Sequence, residues 1–264
     1  DSATRSYADL DLLVPHRAIL NASRRMTALG FTASVPDSAI VAGRIPGEFR
    51  FTHKASRQIV ELHTERTLRY YPRPLPLEDL LIRKRCLTLD GRSVPALSLE
   101  DELVLNCVHG ATHLWERLIW IADVAALVTR HPEIDWQKVR RATKSYGATR
   151  MLHVALQLGA TLLGARLPPE MAEEIKRDLL AAELCRQVAR WLPQAGYAPP
   201  PLFERALFRI RTCENSWSGA AYLLRLSFSP TEEDWREGAG GHRSGLLDSL
   251  RRPFRLLRKY GSDG

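Results

Sequence analysis

Ala8-Asp9-Leu10-Asp11-Leu12-Leu13-Val14 alternates carboxylates with aliphatic residues, the pattern of a β-strand with one polar and one apolar face. Side chains two apart share a face, so Asp9 and Asp11 project together, about 6.6 Å apart along the backbone. Leu10, Leu12 and Val14 are expected to point the other way, into a core. Two carboxylates held side by side repel each other and cost stability unless a cation sits between them. A divalent metal resolves that conflict, and Mg²⁺ prefers carboxylate and phosphate oxygens.

Downstream, Gln58-Ile59-Val60-Glu61-Leu62-His63-Thr64 repeats the alternation, with Glu61 and His63 on one face and Val60 and Leu62 on the other. If this strand lies beside the first, Glu61 completes a three-carboxylate site. Such a site is able to hold two metals about 3.5–4 Å apart for an in-line phosphoryl displacement. Glu61 then either bridges to a metal or acts as a base. His63, at the strand end, reads equally as a phosphate or metal contact and as an ordinary surface residue.

Around these two strands, residues 1–97 read as a mixed α/β domain. Ile19, Leu20, Met26 and Leu29 predict a helix over 16–29, with Gly30 as its left-handed stop. Phe31 to Val35 reads as a strand. Glu48–Thr52 and Gln58–Thr64 form a predicted antiparallel hairpin around residues 54–57. Asp90-Gly91 marks a second hairpin over 87–94.

From Ser98 the spacing becomes helical. Ser98 with Asp101 three residues on resembles a capping box. Helices are predicted over 99–114, 117–130, 136–146, 148–163, 169–191, 201–213 and 217–227, with Asp135 as an N-cap and Gly147 and Gly164 as stops. The fold class is therefore α+β: a mixed-sheet domain over 1–97, an all-α domain over 98–240, and a basic amphipathic tail over 241–264. In the tail, Leu246, Leu247, Leu250, Phe254 and Leu257 oppose Arg251, Arg252, Arg255, Arg258 and Lys259. That pattern suits docking on an acidic surface or on lipid headgroups, or packing on the bundle itself.

The 264 residues are 45% hydrophobic, enough for one or two packed cores. The 38 Lys and Arg against 30 Asp and Glu give a net charge of +8 and a pI near 9.6, which favours anionic partners. No apolar run approaches the roughly 20 residues of a membrane span. Cys86, Cys107, Cys185 and Cys213 are scattered without paired spacing, which reads as reduced thiols and a cytoplasmic location.

Taken together, several segments resemble a known family: Arg5, Asp9 and Asp11 in R-x-x-x-D-L-D-L-L-V, a helix ending in L-G-F, V-E-L-H, L-S-L-E-D-E-L, and H-x-x-x-H followed by W-I-A-D-V. In this order, over residues 1–165, they resemble the uncharacterised nucleotidyltransferase family, a branch of the polymerase-β-like superfamily. The resemblance implies transfer of a nucleoside monophosphate from an NTP such as ATP with Mg²⁺, two ions being expected. It aligns Asp9 and Asp11 with the metal-binding pair, Glu61 with the third acidic residue, and Arg5 and His63 with positions flanking the site. One departure stands out. The superfamily places a Gly-containing strand–helix turn ahead of the D-x-D, whereas eight residues precede Asp9 here. With no initial methionine, this is read as an N-terminal truncation; the alternative is a copy that does not bind NTP normally.

His109-Gly110-Ala111-Thr112-His113 sets two imidazoles one helical turn apart, as structural residues, as substrate lining or as metal ligands. Cys107, two residues before His109, is expected in the core of its helix. Trp115, Trp120 and Trp136 are expected to pack helices. Lys84, flanked by Arg83 and Arg85, is a candidate phosphate contact or part of a solvated face.

Three functions compete. The first is a transferase acting on an acceptor hydroxyl, with the helical domain as the acceptor wall. The second is an inactive nucleotide- or partner-binding module on the same fold. The third is a nucleic-acid-binding protein whose affinity falls steeply with salt. The acceptor stays open among small antibiotic-like molecules, sugars, tRNA ends and protein side chains.

Overall fold

The computed structural model describes residues 9–41, 45, 47–65, 73, 76–194, 200–229 and 252–255. Their fold is α+β, a mixed four-stranded sheet followed by a helical region. Two compact units emerge. One holds the described residues of Asp1–Arg69, Pro74–Glu78 and Arg225–Lys259; the other holds those of Tyr70–Arg73, Asp79–Leu224 and Tyr260–Gly264.

In the first unit, β1 (Asp9–Leu13) is followed by a 3₁₀ turn (His16–Ala18) and α1 (Ile19–Ala28). Gly30 follows with φ +89°, where a side chain would be strained. β2 (Phe31–Ala33), α2 (Asp37–Val41), β3 (Glu48–His53) and β4 (Ile59–His63) complete the layer. The strand order is β1-β4-β3-β2. β1 pairs in parallel with β4, and the other pairs are antiparallel.

The apolar face of this sheet carries Phe49 and Phe51 from β3 and Val60 and Leu62 from β4. They join one cluster with Ile19 and Met26 of α1 and Ala39 and Ile40 of α2. A hydrogen bond from buried Ser23 Oγ to Asp37 Oδ1, 2.8 Å, ties α1 to the start of α2. The expectation for β1 is corrected in part. Val14 packs against the cluster, but Leu10 and Leu12 are 56% and 39% exposed. Among the described strands β1 is an edge, and the residues of α1 and α2 cluster with β3 and β4 rather than with it.

The second unit contains the hairpin of β5 (Arg85–Leu89) and β6 (Arg92–Ala96). Its two-residue turn has Asp90 at φ 48° and Gly91 at φ 73°, the left-handed pair a tight hairpin needs. Ser98 then caps α4 (Leu99–Thr112): its Oγ accepts from the Asp101 N–H at 3.1 Å and donates to Asp101 Oδ2 at 2.8 Å. α5 (Leu118–Arg130), α6 (Trp136–Tyr146) and α7 (Thr149–Leu163) follow. Asp135 caps α6, and Gly147 and Gly164 close α6 and α7 in the left-handed conformation, as predicted.

The helix predicted over 169–191 is two: α8 (Pro169–Arg177) and α9 (Leu179–Trp191). Asp178 leaves helical geometry between them and caps α9, accepting from the Ala181 N–H at 3.1 Å. His153 Nδ1, 2.9 Å from Asp178 Oδ2, and Arg150 Nε, 3.4 Å from Oδ1, hold it there from α7. α10 (Leu202–Thr212) and α11 (Ser216–Phe228) end the described bundle. Of the basic tail, only 252–255 lies among the described residues. Among the described residues, no helix is long and apolar enough to cross a membrane.

Candidate active site

The sheet brings the predicted acidic residues together by register. Asp11 pairs with Glu61 across the parallel β1–β4 ladder, Asp9 with Ile59, and Leu13 with His63. Laterally paired residues share a face, so Asp9 and Asp11 project on the same side as Glu61 and His63, opposite the apolar side of β4. His63 Nε2 lies 2.9 Å from Asp11 Oδ1 and 3.7 Å from Glu61 Oε2. Asp11, Glu61 and His63 each offer a ligand atom, and these lie within 4.8 Å of one another. Asp9 sits one pleat before Asp11 on the same face.

β3 adds two residues that sequence reasoning missed. Its register sets Arg50 beside Glu61 and Glu48 beside His63. The alternation Glu48-Phe49-Arg50-Phe51 marks Glu48 and Arg50 as sharing a face. Nothing local says which residues of β4 they meet.

The electrostatics show a face crowded with negative charge. Glu61 is pushed up to about 7, first by burial and then by Glu48, with Asp11 and Asp9 adding to it and His63 opposing. Burial works against a charged His63. The hydrogen bond to Asp11 and the charges of Glu48, Asp11 and Glu61 outweigh it, and its pKa rises. His63 thus favours its charged form more than a free imidazole does, as the negative groups around it require. Two carboxylates and an imidazole, with Asp9 adjacent, make a donor set suited to a hard or borderline divalent cation, and such a cation would offset the burial and the negative neighbours that disfavour ionised Glu61.

A family model described as an uncharacterised nucleotidyltransferase matches residues 1–164. The chain belongs to that family. Neither a curated protein nor a solved structure matches it. Membership of the uncharacterised nucleotidyltransferase family supports nucleotidyl transfer in general, and the carboxylate face of β1 and β4 lies within the matched residues.

Arg5 lies outside the described residues. Lys84 belongs to the second unit, its Nζ donating to the Leu81 carbonyl at 3.2 Å. Arg83 and Arg85 beside it are committed elsewhere. Arg83 makes a two-pronged contact with Asp101 at 2.9 and 3.0 Å, and Arg85 pairs with Glu102 at 2.8 Å. His109 and His113 lie with ring centroids 4.6 Å apart, tilted 43° to each other, and are not part of a three-ligand group among the described residues. Cys107 is fully buried, as its helix position predicts, and Trp115 is fully buried too.

Proposed function

We propose that this protein moves a nucleoside monophosphate from an NTP to an acceptor hydroxyl, with Mg²⁺ held by Asp9, Asp11 and Glu61. The observation that carries this reading is the parallel register that seats Asp11 beside Glu61, with His63 Nε2 2.9 Å from Asp11. Bound Mg²⁺ would neutralise triphosphate charge and lower the pKa of the attacking hydroxyl.

The chain's own residues do the rest. Asp11 orients the His63 ring through their hydrogen bond. Glu61, poised near neutral pH when no cation is bound, takes up a proton or a metal bond according to what occupies the face. Arg50, paired with Glu61 on the same face, supplies a guanidinium for phosphate oxygens.

The test is Mg²⁺-dependent NTP binding by calorimetry on the full chain, wild type and Asp11→Asn. The reading expects binding that requires Mg²⁺ and is lost in the variant, with an unchanged circular dichroism melt. Magnesium-dependent binding of equal strength in the folded variant would refute the assignment.

A further inference from the structure

Outside the carboxylate face, the second unit concentrates positive charge around an aromatic wall. The rings of His109 and His113, one turn apart at the end of α4, pack against Trp120 of α5 with centroid separations of 5.4 and 4.9 Å. The Arg117 guanidinium lies 5.8 Å from the Trp120 ring centre. From α10, Arg209 donates to the Thr112 carbonyl at 3.1 Å, and its Nε is buried without a hydrogen-bond partner. Burial lowers the Arg209 pKa, with Arg205 pushing the same way and Tyr222 and Glu116 opposing. His113 keeps solvent-exposed surface, and its pKa is pushed down, first by desolvation and then by His109, Arg209, Arg117 and Arg205.

The backbone is also unusual at this point. Leu114 and Trp115, between the histidines and Arg117, both take positive φ, 59° and 53°, a costly conformation for bulky side chains. Their burial holds it in place, both side chains being about fully enclosed. Strain of this kind collects where a fold must present groups in one arrangement.

We propose that the end of α4, the start of α5 and α10 form a binding site for the phosphate group of a small organic phosphate. Arg209 and Arg117 are its anion ligands, and His109, His113 and Trp120 are its ring wall. The cation reading of the H-x-x-x-H pair fails on the charges around it, since a metal ion would add to the repulsion from three arginines. A phosphate removes that repulsion. Guanidinium forks bind phosphate oxygens two at a time, and the tilted rings offer an apolar face to whatever the phosphate is attached to. The site stands independently of the carboxylate face, because every residue in it belongs to the second unit.

The experiment titrates inorganic phosphate into the full chain in metal-free, low-salt buffer, by calorimetry. Saturable binding is expected, weakened about tenfold by Arg209→Gln, as the loss of one charge-assisted hydrogen bond implies. Arg117→Gln, at an exposed position, is expected to weaken it several-fold and serves as the second variant if Arg209→Gln does not fold. Asp11→Asn is expected to bind phosphate as wild type does, so loss of Mg²⁺-dependent NTP binding and loss of this site are scored separately. Absence of saturable phosphate binding overturns the proposal. So does binding of wild-type strength in Arg117→Gln. Steeply salt-dependent binding of an RNA oligonucleotide with none of phosphate would assign the cluster to nucleic acid instead, and would equally overturn it.

Discussion

Glu61→Gln is expected to stabilise the metal-free protein at pH 8, because the native fold holds this carboxyl where its charge is unwelcome. Unfolded, the group ionises near 4.5; folded, near 7. A raised carboxyl pKa attaches stability to the protonated form. That stability is fully present below pH 4.5 and is lost as pH rises through 7. The gap, at about 1.4 kcal/mol per pH unit, corresponds to a native-state cost of about 3 kcal/mol for carrying this charge at pH 8, from burial first and neighbouring carboxylates second. Glutamine keeps the shape and removes the charge, but it also forfeits the attraction to His63, 3.7 Å away. The face is partly open to solvent as well, so a net gain of about 2 kcal/mol remains.

In a thermal melt that gain is a rise of about 4–8 °C. The assay is melting of wild type and variant in chelator from pH 4 to pH 8. The difference should be near zero at pH 4 and grow through pH 7. Added Mg²⁺ should raise the wild-type melt at pH 8 and leave the variant little changed, closing the gap. A variant that melts at or below wild type at pH 8 in chelator would refute the reasoning.

Gly110→Ala is expected to cost about 2–3 kcal/mol in urea unfolding, since a Cβ there would lie 2.1 Å from the buried Trp115 ring; an unchanged midpoint would contradict the packing of the α4–α5 turn. Arg83→Met leaves the carboxylate of buried Asp101 without its two-pronged partner and should destabilise by about 2–3 kcal/mol. Adding Asp101→Asn to Arg83→Met should recover part of that loss, and a double variant with fully additive losses would show the pair is not coupled. Of the four thiols, Cys86 is exposed and the others are buried, with Cys185 pushed up to about 12 by burial. A thiol reagent should therefore modify one cysteine rapidly in the native protein and four after unfolding.

Much of this protein was legible in its sequence where structure follows from neighbours a few residues away. Alternation located β1 and β4 and assigned Glu61 and His63 to the polar side. Asp90-Gly91 specified its hairpin, and Ser98, Asp135, Gly147 and Gly164 marked helix ends, because turns and caps are closed by hydrogen bonds spanning two to five residues. α2 and α3 (Leu77–Ile82) escaped notice because five or six residues carry too little periodicity to register.

Tertiary structure alone decided the remainder. The pairing of Asp11 with Glu61, 50 residues apart in sequence, depends on which strands meet and in what register, and a shift of one residue would turn Glu61 to the opposite face. The same pairing chose Arg50 and Glu48 as neighbours of the site and left Leu10 and Leu12 on an exposed edge. The break at Asp178 depends on His153 and Arg150 reaching it from another helix. Arg209 meets the end of α4 only because α10 packs back on a helix almost 100 positions earlier. Local chemistry determines which elements exist and which side of each is polar. Burial and charge between distant segments determine what those sides face.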